Sequence, residues 1–220
     1  GLVGSEMCIR DRVLAGNPPS EELLSWRVEE ASVTIAVDGG ILPFINASLG
    51  LVPHIILGDL DSLPDLENTI SEFADVELVQ MKAQDTTDFE KALLWVKGNT
   101  NLKKLIILGG LGKRTDHLIT NLLVASVADE SLQITFDDDC EWIQRVTPSC
   151  PLQLNGRKGS NLSILPIRES IGVRTKGLKW ELDGEIIGGS RIIGQSNLCL
   201  SDSVEISCTS GSFYVFLEKG

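Results

Sequence analysis

The sequence predicts an α/β domain built on a mostly parallel sheet, followed by an antiparallel β-sandwich domain. Three observations carry this. Short apolar runs alternate with helical patterns from Val13 to about Ala128, which is the grammar of strands connected by crossover helices. The helical period disappears after about Ser131. From there, short β-rich pieces punctuated by Gly, Ser, Asn and Asp follow one another to the C-terminus, the pattern of a sandwich or barrel.

In order, the first part reads as a strand at Val13-Leu14-Ala15, a helix near Ser20 to Glu30, a strand from Val33 to Val37, a helix near Leu42 to Leu49 and a strand from Ile55 to Leu57. Then come a strand from Val76 to Val79, a helix from Asp88 to Lys97, a strand from Leu105 to Leu108 and a helix from Asp116 to Ala128. Thr87 and Glu90 have capping-box spacing, and Phe89, Leu93 and Val96 share one helical face. The second part gives strands at Gln133 to Phe136, Asn161 to Leu165, Leu178 to Leu182, Val204 to Cys208 and Phe213 to Leu217. Gly1 to Arg12 has neither a signal-peptide core nor a period joining it to the strand at Val13. The expected organisation is therefore a stretch over 1–12 foreign to the fold or disordered, an α/β domain over 13–132 and a β-sandwich domain over 133–220.

A 220-residue chain with 42% hydrophobic content is large enough to bury a full core. Its formal net charge of −12 argues against nucleic acid or an anionic membrane as the main partner, because both need a basic face. No apolar run approaches the length of a membrane span, about 20 residues. Cys8, Cys140, Cys150, Cys199 and Cys208 lie far apart, and only His54 and His117 accompany them. Zinc spacings are absent, and the cysteines read as reduced packing residues of a cytoplasmic protein.

Acidic residues recur where strands end and helices begin. Leu57-Gly58-Asp59-Leu60-Asp61-Ser62 places two carboxylates directly after a buried strand, Asp38-Gly39-Gly40 closes an earlier one, and Gln84-Asp85-Thr86-Thr87-Asp88 opens a helix. Open α/β sheets bind ligands at these strand ends. Magnesium is usually held by one or two carboxylates together with the phosphates of its substrate, so the chemistry indicated is that of a Mg-bound nucleotide. Asp88 would join Asp59 and Asp61, although Asp85 and Asp88 also suit the helix dipole. Gly109-Gly110-Leu111-Gly112-Lys113-Arg114-Thr115-Asp116-His117 follows a strand and opens a helix. Its glycines allow close backbone approach to phosphate, and Lys113 and Arg114 add charge. The P-loop spacing is missing, a plain tight turn fits the glycines equally, and His117 reads as a packing residue.

The order of these motifs, continued by Gly177-Leu178-Lys179-Trp180 and Ser196-Asn197, resembles the thiamine pyrophosphokinase family from Val13 to the C-terminus. The resemblance implies an ATP-binding α/β domain, a thiamine-binding β-sandwich and a homodimer with its sites between subunits. It also implies Mg-dependent transfer of pyrophosphate from ATP to the thiamine hydroxyl, giving thiamine diphosphate and AMP. On it, Asp59, Asp61 and Asp88 hold magnesium and, with Arg114, carry catalysis. Asp38, Gly39, Gly40, Gly110, Gly112, Lys113, Arg114 and Asp116 serve ATP, while Gln84, Trp180, Ser196 and Asn197 contact thiamine. Two other readings of the acidic clusters are a Mg-dependent nucleotide phosphohydrolase and a non-catalytic nucleotide-binding module.

Overall fold

The computed structural model describes residues 9–13 (as backbone), 17–59, 73, 75–81, 85–112, 114–189 and 194–219. Five strands organise the first unit: β1 (Ile9–Val13), β2 (Val33–Val37), β3 (Ile55–Gly58), β4 (Glu77–Gln80) and β5 (Lys104–Leu108). They lie in the order β5-β1-β2-β3-β4. Every pairing is parallel, with Val13 opposite both Ala36 and Leu108, Val37 opposite Leu57, and Gly58 opposite Gln80. The chain moves outward from β1 to β4 and then returns to the other side of β1, so the strand order reverses between β1 and β5. In a doubly wound sheet, ligands bind in the crevice at such a reversal.

Residues 9–12, which sequence pattern sets apart from the fold, belong to an interior strand, paired on both sides. The ladders on both sides are made by main-chain groups, which any non-proline residue supplies. Without them the facing groups of β2 and β5 would lie in the sheet interior unpaired. Residues 1–8 lie outside the described residues.

Helix α1 (Glu21–Glu30) starts at Ser20, whose hydroxyl accepts a hydrogen bond from Leu23 N at 3.2 Å. A 3₁₀ turn, Asp38–Ile41, leads into the short α2 (Leu42–Asn46). Helix α3 (Asp88–Asn99) carries the expected capping box: Thr87 Oγ1 accepts from Glu90 N at 3.2 Å and Glu90 Oε2 from Thr87 N at 2.8 Å. Of the predicted face, Phe89 and Val96 are buried and Leu93 is half-buried. A core of Leu23, Leu24, Ala36, Ile41, Phe44, Ile56, Ile106 and Leu108 packs helix against sheet.

Helix α4 (Thr115–Ser126) contains the division between the two units, which falls after Asn121, earlier than the change of period near 132. Asp137–Asp139 returns to the first unit. Arg27 of α1 donates to Asp137 Oδ2 from Nη2 at 2.6 Å and from Nε at 2.8 Å, and Ser20 N donates to Asp139 at 2.8 Å.

The second unit is all-β apart from the end of α4. Its strands are β6 (Gln133–Asp137), β7 (Glu141–Val146), β8 (Leu152–Asn155), β9 (Asn161–Pro166), β10 (Ser170–Lys176), β11 (Asp183–Ile187), β12 (Gly194–Leu198), β13 (Ser203–Ser207) and β14 (Phe213–Glu218). One sheet runs β12-β9-β14-β7-β6 and the other β11-β10-β13-β8. Strands β7 to β14 pair with one another in antiparallel fashion. One apolar cluster draws Val146, Leu162, Ile164, Phe213 and Val215 from the first sheet and Leu154, Val173, Ile187, Val204 and Ile206 from the second. The expected strand at Leu178 to Leu182 is instead a turn with one isolated bridge, Leu178 to Cys199. Gly177 takes φ +86° there, and its N–H donates to the Glu181 carboxylate at 2.7 Å, closing the chain on itself.

Candidate active site

Asp38 follows β2 directly, at φ +45° and 4% exposed. Its carboxylate packs against the end of β3: a Cβ placed on Gly58 would lie 2.0 Å from Asp38 Oδ1. Glycine at 58 is thus a steric requirement of the Asp38 carboxylate in this position, one residue before Asp59. Gly39 and Gly40 continue the 3₁₀ turn, with Gly40 buried beneath it.

Asp59 meets Asp88 of α3 through a group that sequence reading missed. Lys91 is 3% exposed, and its ammonium donates to Asp88 Oδ1 at 3.1 Å and to Asp59 Oδ2 at 3.4 Å. Asp59 and Asp88 keep access to water, with side chains 35% and 51% exposed. The signal for Lys91 was the i, i+3 spacing from Asp88 in Asp88-Phe89-Glu90-Lys91. Burial pulls the lysine pKa down, but the hydrogen bond and charge of Asp88, reinforced by Asp59, outweigh it, so the net shift is upward. Nearby, the Thr86 hydroxyl is buried without a hydrogen-bond partner among the described residues.

A second group forms at the end of β5. Gly109 and Gly112 adopt φ +67° and +82°. Asn17, past the end of β1, donates from its backbone to Leu111 O at 3.3 Å, and a Cβ on Gly112 would lie 2.6 Å from Asn17 Nδ2. The glycine loop therefore closes against the segment following β1, at the reversal of strand order. Gly110 O accepts from Asn121 Nδ2 at 2.9 Å, tying the loop to the helix it opens. Arg114 pairs with Asp116 through Nε to Oδ1 at 3.1 Å and Nη2 to Oδ2 at 2.5 Å, both side chains well exposed. The hydrogen bond from Arg114 holds the Asp116 carboxyl below its usual range, and the same bond raises the guanidinium. His117, expected to pack, is exposed instead. Asp61, Gln84 and Lys113 lie outside the described residues.

The candidates in the second unit separate into two places. Ser196, at φ +58°, lines a cavity of about 530 Å³ together with Glu141, Ser163, Gln195, Phe216 and Glu218. Its N–H donates to Ser163 Oγ at 2.9 Å. Asn197 is buried: its Oδ1 accepts from Trp180 N at 3.1 Å and its Nδ2 donates to Trp180 O at 2.7 Å. The same Oδ1 accepts from Leu198 N at 2.9 Å, so the amide is spent on main-chain groups, chiefly those of Trp180, which makes Asn197 a support for that turn. Trp180 is 57% exposed, with the Lys179 ammonium 4.5 Å from its ring centroid. This tryptophan is a presented aromatic surface and no part of the core.

Among the described residues no three His, Cys, Asp or Glu side chains converge as a metal cage. The carboxylates that are visible nevertheless fit a hard divalent cation in donor type, being oxygen ligands partly open to water. A parallel α/β unit with carboxylates and a glycine loop at its strand ends, joined in sequence to an all-β unit, defines a class of protein suited to a phosphorylated, metal-bearing ligand.

Comparison with known proteins narrows the class. Residues 25–136 match the thiamin pyrophosphokinase catalytic domain and residues 149–213 match the thiamin pyrophosphokinase vitamin B1 binding domain. The chain belongs to the thiamin pyrophosphokinase family. It is 30% identical over 169 residues to thiamine pyrophosphokinase 3 of Oryza sativa subsp. japonica, covering 73% of this chain and 63% of that protein. It is 26% identical over 196 residues to thiamin pyrophosphokinase 1 of Caenorhabditis elegans, covering 84% and 79%. The match to thiamine pyrophosphokinase 1 of the same rice, at 27% identity, also covers 63% of that protein, so the chain spans less than two thirds of the length of these two relatives. The fold is that of the thiamine pyrophosphokinase from Bacillus subtilis, with a TM-score of 0.80 at 22% identity over 96% of this chain and 99% of that one.

Proposed function

We propose that this chain is a thiamine diphosphokinase, moving pyrophosphate from ATP to the hydroxyl of thiamine and releasing AMP. The observation that carries the reading is the gathering of Asp59, after β3, and Asp88, at the start of α3, around Lys91, in a chain that matches both family domains. On this reading an N-terminal ATP-binding α/β domain precedes a thiamine-binding β-sandwich.

Asp59, Asp61 and Asp88 hold Mg²⁺, which when bound offsets charge on the polyphosphate. Arg114 and Lys113 bind phosphate oxygens, and Asp116 aims the Arg114 fork. Asp38, Gly39, Gly40, Gly110 and Gly112 shape the nucleotide site by close backbone approach. Trp180 offers its ring to the cationic thiazolium, with Ser196 and Gln84 as further thiamine contacts. The thiamine oxygen forms a bond to the β-phosphorus as the bond from that phosphorus to the α–β bridging oxygen breaks. AMP leaves with that oxygen, and the hydroxyl proton passes to water. Catalysis of this kind rests on positioning and charge. The enzyme works in the cytoplasm as a homodimer, each site drawing on both subunits.

Incubation with ATP, Mg²⁺ and thiamine tests the reading directly. AMP and thiamine diphosphate in equal amounts are expected. Inorganic phosphate or pyrophosphate without thiamine diphosphate would indicate a phosphohydrolase, and unchanged ATP a binding module.

A further inference from the structure

Lys91 poses an electrostatic question. A lysine 3% exposed, on the first turn of α3, directs its ammonium at two carboxylates proposed as metal ligands. A cation already held there opposes the entry of another. Yet a buried ammonium that simply lost both partners would be left uncompensated, at considerable cost. The polyphosphate of the nucleotide resolves the conflict by offering Lys91 replacement oxygens while the carboxylates turn to the metal.

We infer that Lys91 couples metal binding to nucleotide binding: its ammonium balances Asp59 and Asp88 in the free protein and passes to a nucleotide phosphate oxygen as those carboxylates take up the divalent ion. The inference rests on the reading of Asp59 and Asp88 as metal ligands. It makes Lys91 a residue that contacts substrate and disfavours metal entry without nucleotide. The acidic pair is thereby kept from filling with free divalent ions.

Lys91→Met tests this, because methionine keeps the buried unbranched stem and removes the charge. Asp59 and Asp88 still reach water, so the variant leaves them solvated. Two equilibria are measured separately: Mn²⁺ binding without nucleotide, by electron paramagnetic resonance, and α,β-methylene-ATP binding in excess EDTA, by equilibrium dialysis. The expected changes are opposite in sign. Mn²⁺ alone binds about tenfold tighter than to the parent, and the metal-free nucleotide about tenfold weaker, within the usual range of a site-to-site coupling.

Lys91→Arg keeps the charge and should leave both affinities nearer the parent values. If both fall together in Lys91→Met, the lysine only supports packing. If neither moves, its ion pairs are incidental. Either result overturns the inference. Asp88→Asn separates it from the reading beneath: Mn²⁺ affinity equal to the parent in that variant removes the metal-ligand assignment and the inference with it. Weakened Mn²⁺ binding by Asp88→Asn without the opposed changes in Lys91→Met removes the inference alone.

Discussion

At the scale of single residues, close clearances decide the site. Alanine at Gly58 would place its methyl 2.0 Å from Asp38 Oδ1, at a backbone φ of +154° that side chains rarely adopt. Either the carboxylate or the end of β3 must move. On the proposed function, the expected outcome of Gly58→Ala is a fall in kcat for thiamine diphosphate formation of about a hundredfold, the scale of an ångström misplacement, with some loss of stability. Gly98→Ala in α3 meets nothing within 4 Å and serves as the control, neutral to slightly stabilising. Cys208 gives a prediction in pH. Burial, with a smaller contribution from Glu130, pushes its thiol from 9.0 up to about 11. Between these values the unfolded chain releases a proton that the folded chain retains, so stability falls as pH rises from 9.0 and levels off above about 11. Thermal melts from pH 8 to 11 should show a decline that is shallower in Cys208→Ala; equal slopes would remove the assignment. Of these residues, Asp38, Gly58, Asp59 and Asp88 were legible in the sequence as short motifs at element ends. Lys91 was not, because a lysine after a capping box reads as a solvated face until tertiary packing buries it. Asn197 was legible as a position, but its partner is the main chain of Trp180, which no residue pattern announces.

At the scale of elements, legibility followed burial. The strands β2, β3 and β5 are apolar because their neighbours cover both faces, and periodicity finds such runs directly. Strand β7, Glu-Trp-Ile-Gln-Arg-Val, hides its role because Gln144 and Arg145 are buried. Arg145 donates to the carbonyls of Ala125, Ala128, Asp129 and Leu132 at 2.6–3.0 Å, so a charged residue serves as an internal cap for the end of α4. Tyr214 Oη donates to Leu122 O at 2.6 Å and ties β14 to the same helix. Strand β1 escapes periodicity because Ile-Arg-Asp-Arg-Val lacks any strand pattern, yet its main chain pairs on both sides. A proline in the middle of such a strand removes a donor and disturbs both ladders. Asp11→Pro is therefore expected to cost about 3 kcal/mol, comparable to proline inside a helix. In a chain of this size that lowers Tm by roughly 6–12 °C. A change under about 2 °C, read by circular dichroism, would show that β1 does not bear the sheet.

At the scale of the whole molecule, the proposed homodimer assigns the phosphate-handling residues and the thiamine platform of one site to different chains. Asp88 lies at the start of α3 in the first unit, and Trp180 presents its ring from a turn in the second. If the two serve different sites of one dimer, Asp88→Asn and Trp180→Ala each leave both sites of a homodimer with one lesion, and each variant is nearly inactive. Unfolding an equal mixture and refolding it produces mixed dimers in which one site carries both lesions and the other carries none. With random pairing about half of the dimers are mixed, and half of their sites are intact, so about a quarter of the parent activity returns. If instead each site is built within one chain, every site in every dimer keeps a lesion. Subunit exchange is followed independently with a tag on one variant and mass analysis of the captured dimers. Return of activity in proportion to the mixed fraction establishes shared sites, and mixed dimers without activity would show that each chain builds its own.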